Sequence, residues 1–526
     1  MKTPQPFLFL KIREQRNLVW EVVFLTVVVF SSFGFYGLVN FPFLNSDHCL
    51  NVLIADDFSL PRDFYCWGQN RGGMLIPLIS QPLLWAGLSP LWAVSLSTYL
   101  ILILGYFSLA SFFKKPFSRI VFAIAWFLPL FSFQYLLSCP IGMQYSLLGM
   151  GLFLLKPIIL NKTPGRFHRS FHVRTGMSLL VFLLAVWVSD LSLVNLGIFG
   201  LVLWFYHCKT RGTWKLPKKT WISLTVFVTV TVLFLIYAKG TAMSERGNYS
   251  DLNDFEQILT SLERLWERLV SMLIPGDQIG FYMVTVYAWL AVVLLIIGLV
   301  VLVKERRWGQ FLQNPWLLLF SADAIGIFGV CILSNWVFSN NTETRYFVST
   351  YISLWMVVLF LAEVRKSRFY KIGLLILALA GSFSGMYSEK MEGDNDYAFI
   401  PLAKKWRGFE VLGDNVGIIG SYWYSFVISG IHTETIKAVP HDQDEFRSEE
   451  LVREVLQRKK LFLVGNNWID SFPDELYQYG HILQRSGEPF SINGIHICAY
   501  RIITKKFHTQ DSAFLPRSKQ HDTLIH

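Results

Sequence analysis

"LVWEVVFLTVVVFSSFGFYGLV", residues 18–39, runs for 22 residues with one charge, Glu21, close to its start. A helix needs roughly 20 apolar residues to cross the hydrocarbon core of a bilayer. This stretch is long enough. Ten further apolar stretches follow, at 91–113, 120–138, 143–160, 177–189, 191–207, 221–238, 281–303, 316–338, 347–362 and 372–387. Eleven spans joined by short, mostly basic loops predict an α-helical polytopic membrane protein whose first partner is the lipid bilayer. Composition agrees: 53% of the 526 residues are hydrophobic and 16% aromatic, against 16% charged. That is far too apolar for a soluble chain.

The stretches at 177–189 and 191–207 are short, and the loops on both sides of the pair are basic (Arg166, Arg169 and Arg174 before; Lys209, Arg211, Lys215, Lys218 and Lys219 after). Both outer ends therefore belong on one face, which predicts two legs turning at Ser189-Asp190, with Asp190 capping the second. Residues 74–88 are apolar too, but carry Pro77, Gln81 and Pro82. They are expected to lie in the interface rather than to cross.

The amino terminus and the loops on its side of the spans hold 24 Lys and Arg and the opposite loops 7, which makes the first side cytoplasmic and puts the amino terminus inside. An odd number of spans then leaves everything after residue 387 outside, as expected of a protein of the cell inner (plasma) membrane. The net charge of +10 is mostly this topology signal. With no basic aromatic patch, no nucleic-acid partner is expected. The first apolar run is too long for a cleaved leader and has no small-residue cleavage site, so it reads as an anchor. Of the six cysteines, Cys49 and Cys66 share one external loop and either pair or stay free; Cys139, Cys208 and Cys331 read as membrane packing residues. No His/Cys metal signature is present.

The chain divides into a membrane domain, 1–387, with external loops at 40–90 and 239–280, an extracytoplasmic α/β domain, 388–505, and a polar, disordered tail, 506–526. The second loop contains an amphipathic helix, with Phe255, Ile258, Leu259, Leu262, Trp266, Leu269, Val270 and Leu273 at helical spacing. It either lies on the membrane or packs on a neighbouring helix, and the two do not exclude each other. In the α/β domain, strands are expected at 416–420, 436–439, 461–465 and 495–502, and helices at 424–429, 448–459 and 474–484. Gly420-Ser-Tyr and Gly465-Asn-Asn follow strands, as ligand-binding turns do and as many structural turns also do.

The first external loop concentrates acids: Asp47, Asp56, Asp57 and Asp63 within "NSDHCLNVLIADDFSLPRDFYCWGQNRGG", residues 45–73. A carboxylate just beyond a span is placed to act as general base on a hydroxyl at the interface. It is equally placed to cap or solvate a helix end. Intramembrane acids are rare and usually functional. Asp323 is the deepest here, while Glu21, Asp190 and Glu363 lie near span ends.

Asp47, then Asp56-Asp57, then "YCWGQNRGG", residues 65–73, followed by an apolar, proline-bearing segment and another span, resembles the first extracytoplasmic loop of the GT-C superfamily. These are multispanning glycosyltransferases that use polyprenyl-phosphate sugars, including aminoarabinose-transferase-like and mannosyltransferase-like bacterial members. Asp47 matches the first acid of that loop and Trp67-Gly68-Gln69 its Tyr-Gly-Gln turn. His48 stands where the second acid often is, and Ile76 where a later glutamate falls. "TETRYFVST", residues 342–350, is similar to the Arg-Tyr element, here Arg345-Tyr346, that opens a late span in the same superfamily.

The resemblance implies a glycosyltransferase, hexosyl- or pentosyl-transferring, with a polyprenyl-phosphate sugar as donor and a glycan, lipid or protein as acceptor. Asp47 is then the base. Arg345, with Tyr346 beside it, would hold the donor phosphate, since guanidinium matches phosphate oxygens. Without the resemblance Arg345 reads as a snorkelling anchor. Tyr65, Trp67 and Gln69 either contact sugar or form a buried turn. Asp56 and Asp57 either orient the acceptor, hold a divalent cation, or belong to a solvated turn. Two other functions stay open: a lipid-linked sugar flippase or transporter, which would want midplane polar groups and internal repeats, and an inactive assembly protein of the same shape.

Overall fold

The computed structural model describes residues 6–39, 44–138, 140–160, 168–242, 251–275, 279–304, 314–364, 367–388, 406–442, 447–465, 468–469 and 471–504. They fall into two compact units, one drawn from Met1–Tyr36, Thr98–Leu235 and Gly247–Ala398, the other from Gly37–Ser97, Ile236–Arg246 and Phe399–His526. Cys139, Asn466 and Asn467 of the expected turn, and the tail 506–526 lie outside the described residues.

Each of the eleven apolar stretches forms helix. Nine helices among the described residues are long and apolar enough to cross a membrane on their own: Val19–Tyr36, Pro90–Ala110, Ile141–Ile159, Leu191–Thr210, Thr220–Gly240, Phe281–Gly298, Pro315–Leu333, Thr344–Val364 and Arg368–Met386. The stretch at 120–138 is instead a bent pair, Pro116–Phe127 and Phe131–Leu137, meeting at 92°. Pro129 sits in the break. It offers no N–H to the helix and keeps Leu128 out of helical geometry, at φ −130° and ψ 62°. The stretch at 177–189 lies in the helix His168–Val188, whose described apolar part, His172–Val188, is too short to qualify alone. Asp190 stands at the expected N-cap position, but its side chain makes no capping hydrogen bond. Its backbone is already helical, at φ −58° and ψ −26°, whereas a capping residue needs an extended backbone to aim its oxygen at the first free amides.

In the first unit the helix Phe255–Leu273 is closed by a capping box between Asp254 and Gln257. Ile258 and Leu265 pack on a buried cluster of Ile327, Cys331, Ile332, Val337 and Phe347. Leu259, Leu262, Trp266 and Leu269 stay exposed. The packing role is thus met by one apolar stripe of this helix, while the other stripe stays uncovered.

Asp323 is fully buried and fully engaged. Oδ1 accepts from Asn195 Nδ2 at 2.7 Å; Oδ2 accepts from Tyr145 Oη at 2.7 Å and Ser353 Oγ at 2.6 Å. Gln144 Nε2 donates to Asn195 Oδ1 at 3.0 Å. The network joins the helices Ile141–Leu160, Leu191–Arg211, Pro315–Leu333 and Val348–Val364. A buried acid satisfied this way is a clasp between spans. The acids nearer span ends are also engaged: Glu21 Oε2 pairs with Arg119 Nη2 at 2.7 Å, and Glu363 Oε1 accepts from the Lys115 amide at 2.7 Å.

The second unit is built on a seven-stranded sheet: β1 (Val416–Gly420), β2 (Ile436–Pro440), β3 (Lys460–Val464), β4 (Glu475–Gln478), β5 (His481–Arg485), β6 (Phe490–Ile492) and β7 (Ile495–Thr504). The order is β2-β1-β3-β7-β5-β4, with β6 also paired to β7. β1 runs parallel to both β2 and β3, and the remaining pairings are antiparallel. The helix Tyr422–Ile431 leads from β1 to β2 and the helix Glu449–Gln457 from β2 to β3. The expected helix at 474–484 is instead the β4-β5 hairpin. Tyr479 and Gly480, both at positive φ (50° and 76°), form the two-residue turn between Gln478 and His481. That turn matches strand twist and cannot occur inside a helix.

Candidate active site

In the second unit the first part of the acidic stretch after the first span, with Asp47 and Asp56, is not a loop. It forms a helix, Ser46–Asp56, buried along Leu50 to Ala55. Its N-cap is Asn45, whose side chain accepts from the His48 amide at 3.0 Å. Asp47 is therefore not the cap. Successive helical side chains point about 100° apart, and here that rotation leaves Asp47 exposed while Ser46 and His48 are buried. Ser46 Oγ donates to the Tyr422 carbonyl at 2.6 Å. Burial lowers the His48 imidazole to about 4, with the Asp47 charge opposing. It is neutral at neutral pH, and it does not face the side that Asp47 faces.

The Asp47 carboxylate has a neighbour that sequence did not indicate. Tyr422 Oη donates to Asp47 Oδ1 at 2.8 Å. Tyr422 is the first residue of its helix, directly beyond the carboxyl end of β1. With β2 on one side of β1 and β3 on the other, that end is the topological switch point of the parallel strands, where α/β sheets place ligands. Burial first and the Asp47 charge second push the Tyr422 phenol well above its ordinary value, so it remains a hydrogen donor. Arg447 Nη2 lies 3.3 Å from Tyr422 Oη, and its guanidinium sits 5.3 Å from the centre of the Tyr422 ring.

The "YCWGQNRGG" segment closes into a narrow loop. Tyr65 bridges Gly73, the Cys66 amide donates to the Gly72 carbonyl at 3.1 Å, and the Gln69 amide to the Cys66 carbonyl at 3.0 Å. Gly68 turns the chain at φ 69°, and a Cβ there would come within 3.4 Å of Arg447 Cδ and 3.5 Å of its Cα and carbonyl oxygen. A side chain at this turn would meet both the left-handed backbone and Arg447. The rings of Tyr65 and Trp67 are buried. The Trp67 indole donates to Asp63 Oδ1 at 2.9 Å, and Gln69 Oε1 accepts from Arg71 Nε at 3.2 Å. Both rings thus pack inside the turn.

Asp63, fully buried, organises this loop, accepting from the Ser59 amide at 2.7 Å and from Arg62 Nε and Nη2 at 3.0 and 2.9 Å, besides Trp67. Arg62 also reaches Asp57 Oδ2 and Glu450 Oε2, each at 3.1 Å. Asp56 Oδ2 pairs instead with Lys437 Nζ at 3.2 Å. The two adjacent acids therefore answer to different cations, and among the described residues no three His, Cys, Asp or Glu side chains gather as metal ligands. The residues present do not fit the divalent-cation reading. Cys49 and Cys66 are both free thiols. A Cβ on Gly430 would fall 2.7 Å from Cys49 Cβ, so Cys49 packs where the helices Ser46–Asp56 and Tyr422–Ile431 approach closely. Burial pushes both thiols up, that of Cys66 to about 11.

In the first unit, Arg345 lies in the short helix Thr344–Phe347 that opens a span. The sequence presents it as the lone cation of its loop. Glu343 Oε2 is in fact 2.7 Å from its Nε, within ion-pair range but off the N–H direction, so the pair is electrostatic rather than a directed hydrogen bond. The guanidinium also faces the rings of Tyr135 and Tyr346, at 5.5 and 5.2 Å from their centres. Tyr135 stands on Phe131–Leu137, the second arm of the bent pair.

No family model and no curated protein matches this chain. Several solved structures align with it over most of its length. ArnT from Cupriavidus metallidurans bound to undecaprenyl phosphate aligns over 92% of this chain and 97% of that one, at 11% identity and a TM-score of 0.48. The Archaeoglobus fulgidus oligosaccharyltransferase tethered to an acceptor peptide containing the NVT sequon aligns over 85% and 69%, at 11% identity and a TM-score of 0.42. The archaeal oligosaccharyltransferase AglB, in complex with an inhibitory peptide and a dolichol-phosphate, aligns over 84% and 69%, at 11% identity and a TM-score of 0.38.

Proposed function

We propose that this chain is a multi-pass membrane glycosyltransferase that moves a sugar from a polyprenyl-phosphate donor to an acceptor hydroxyl outside the cytoplasm. The observation that carries the reading is Asp47: an exposed carboxylate in the first turn of a helix capped by another residue, held through one oxygen by a buried tyrosine. Its other oxygen stays available to a substrate. The donor class rests on the sequence resemblance at Asp47, Trp67-Gly68-Gln69 and Arg345-Tyr346.

The chemistry is one displacement. The acceptor oxygen attacks the anomeric carbon and gives its proton to Asp47. The bond from that carbon to the phosphate oxygen breaks, polyprenyl phosphate leaves with the electron pair, and the centre inverts. Arg345 would meet the leaving phosphate, where charge grows as the bond breaks. No step is assigned to a divalent cation, because Asp56 and Asp57 are each engaged by a basic side chain. Transport finds less support. Asp323, the buried intramembrane acid such a role would need, has both oxygens taken by neighbouring spans.

The test is in the cell. Loss of this chain should remove one sugar from surface or lipid-linked glycans and leave its polyprenyl-phosphate form to accumulate. Unchanged glycans and donor pool would overturn the reading. The proposed topology, with the amino terminus inside and the second unit outside, rests on the charge bias of 24 to 7 between the amino terminus with the loops on its side and the opposite loops. An impermeant maleimide applied to intact cells should label a cysteine at exposed Gln457 and spare one at exposed Thr213. The opposite pattern would invert the assignment.

A further inference from the structure

We infer that Tyr422 and Arg447 are positioning residues for Asp47: a guanidinium–phenol–carboxylate chain that fixes which carboxylate oxygen receives the acceptor proton. The inference rests on the reading of Asp47 as base.

The chain of contacts has one possible polarity. Arginine has donors only and a carboxylate has acceptors only, so the hydroxyl between them must accept from the first and donate to the second. Arg447 Nη2 lies 3.3 Å from Tyr422 Oη, and Tyr422 Oη lies 2.8 Å from Asp47 Oδ1. With Arg447 in place, the phenolic hydrogen is directed at Asp47. Oδ1 is thereby occupied, and Oδ2 is the oxygen left for the incoming hydroxyl. A carboxylate free to rotate about its Cβ–Cγ bond would present either oxygen at varying angles, and misplacement of a reacting group by a small distance is costly in rate.

The surroundings hold the chain rigid. Tyr422 is buried, and its carbonyl accepts from Ser46 Oγ at 2.6 Å, so the residue before Asp47 clasps the same tyrosine. The two helices that carry Asp47 and Tyr422 approach closely at Gly430 and Cys49. Arg447 is fixed at φ 65°, its guanidinium is over the Tyr422 ring, and the Gly68 turn packs against its backbone and Cδ. The glycine of the Trp67-Gly68-Gln69 turn thus supports Asp47 at two removes, through Arg447 and Tyr422. Arg447 Nε is buried without a hydrogen-bond partner, so the guanidinium is held by its aromatic and hydroxyl contacts rather than by a second acid.

The test is a double-mutant cycle on the full-length protein in detergent, read as single-turnover rate and donor KM. Tyr422→Phe keeps the ring and removes only the hydroxyl. It should lower the rate about tenfold, the scale of one hydrogen bond to a charged group, with donor KM changed less than about twofold. In the Asp47→Asn background the same change should have almost no further effect, because residues acting through one group are not additive. Arg447→Met should lower the rate in the same direction by about threefold and be equally silent in that background. A merely structural tyrosine would cost the same factor in both backgrounds, and that result overturns the proposal. So does Tyr422→Phe at wild-type rate while Asp47→Asn is inactive, which leaves the base assignment standing. Asp47→Asn at wild-type rate overturns both together. Melting temperatures of the variants, expected within a few degrees of wild type, separate a rate effect from a folding failure.

Discussion

Asp47→Asn should lower sugar transfer by a factor on the order of 10² to 10⁴, the range that removal of a positioned general base produces. The fold should survive, for reasons specific to this helix. Asn45 and not Asp47 caps it, the Asp47 side chain is exposed, and an asparagine can still accept from Tyr422 Oη through its amide oxygen. The substitution therefore removes the proton acceptor and little else. Transfer within a few-fold of wild type by protein of unchanged melting temperature would remove Asp47 from the chemistry.

The second large effect is expected at Arg345. If its guanidinium meets the donor phosphate, Arg345→Ala should weaken donor binding and also slow the chemical step, by a factor on the order of 10² to 10³, because the charge matters more as phosphate leaves than before. Arg345→Lys should rescue only in part, since it keeps the charge but loses the fork of donors and the stacking between Tyr135 and Tyr346. Glu343 sharpens the expectation. Its carboxylate lies against Arg345 Nε, so the two terminal nitrogens are the ones to meet phosphate. A snorkelling anchor would behave otherwise: lysine would replace arginine almost fully, and alanine would reduce the amount of folded protein without changing turnover per molecule. Turnover of the purified Ala and Lys forms, normalised to folded protein, distinguishes the two.

The helical body was legible because its signal is additive along the chain: runs of apolar residues long enough to span, such as 18–39 or 281–303, need no tertiary information. The bend at Pro129 was not, since the stretch at 120–138 is mostly apolar on both sides of the proline and hydropathy does not register direction. In the α/β unit the buried parallel strands β1, β2 and β3 stood out as short apolar runs. The hairpin β4-β5 did not, because "ELYQYGHILQR", residues 475–485, carries apolar residues at helical as well as alternating spacing, and only the left-handed Tyr479-Gly480 pair decides between them.

The site divides in the same way. Asp47 was visible from its position after a span. Tyr422 and Arg447 lie 375 and 400 residues further on, in a segment whose only local signal was a Gly-Ser-Tyr turn after a strand. Asp63 looked like one more loop acid, yet it is the buried acceptor that shapes the Trp67 turn. Contacts that depend on two helices approaching, as at Gly430 and Cys49, leave no trace in either helix alone.

One assay bears on whether this is a transferase with Asp47 at its centre. Purified wild-type and Asp47→Asn proteins would be given radiolabelled polyprenyl-phosphate hexoses and pentoses, with membranes from cells lacking this chain as the source of acceptor. The measured quantities are polyprenyl phosphate released and label transferred, per folded molecule. Wild type should release and transfer in equal amounts with one of these donors, and Asp47→Asn should be slower by a factor on the order of 10² or more. Equal rates for the two proteins, or no transfer by wild type from any donor tested, would contradict the assignment.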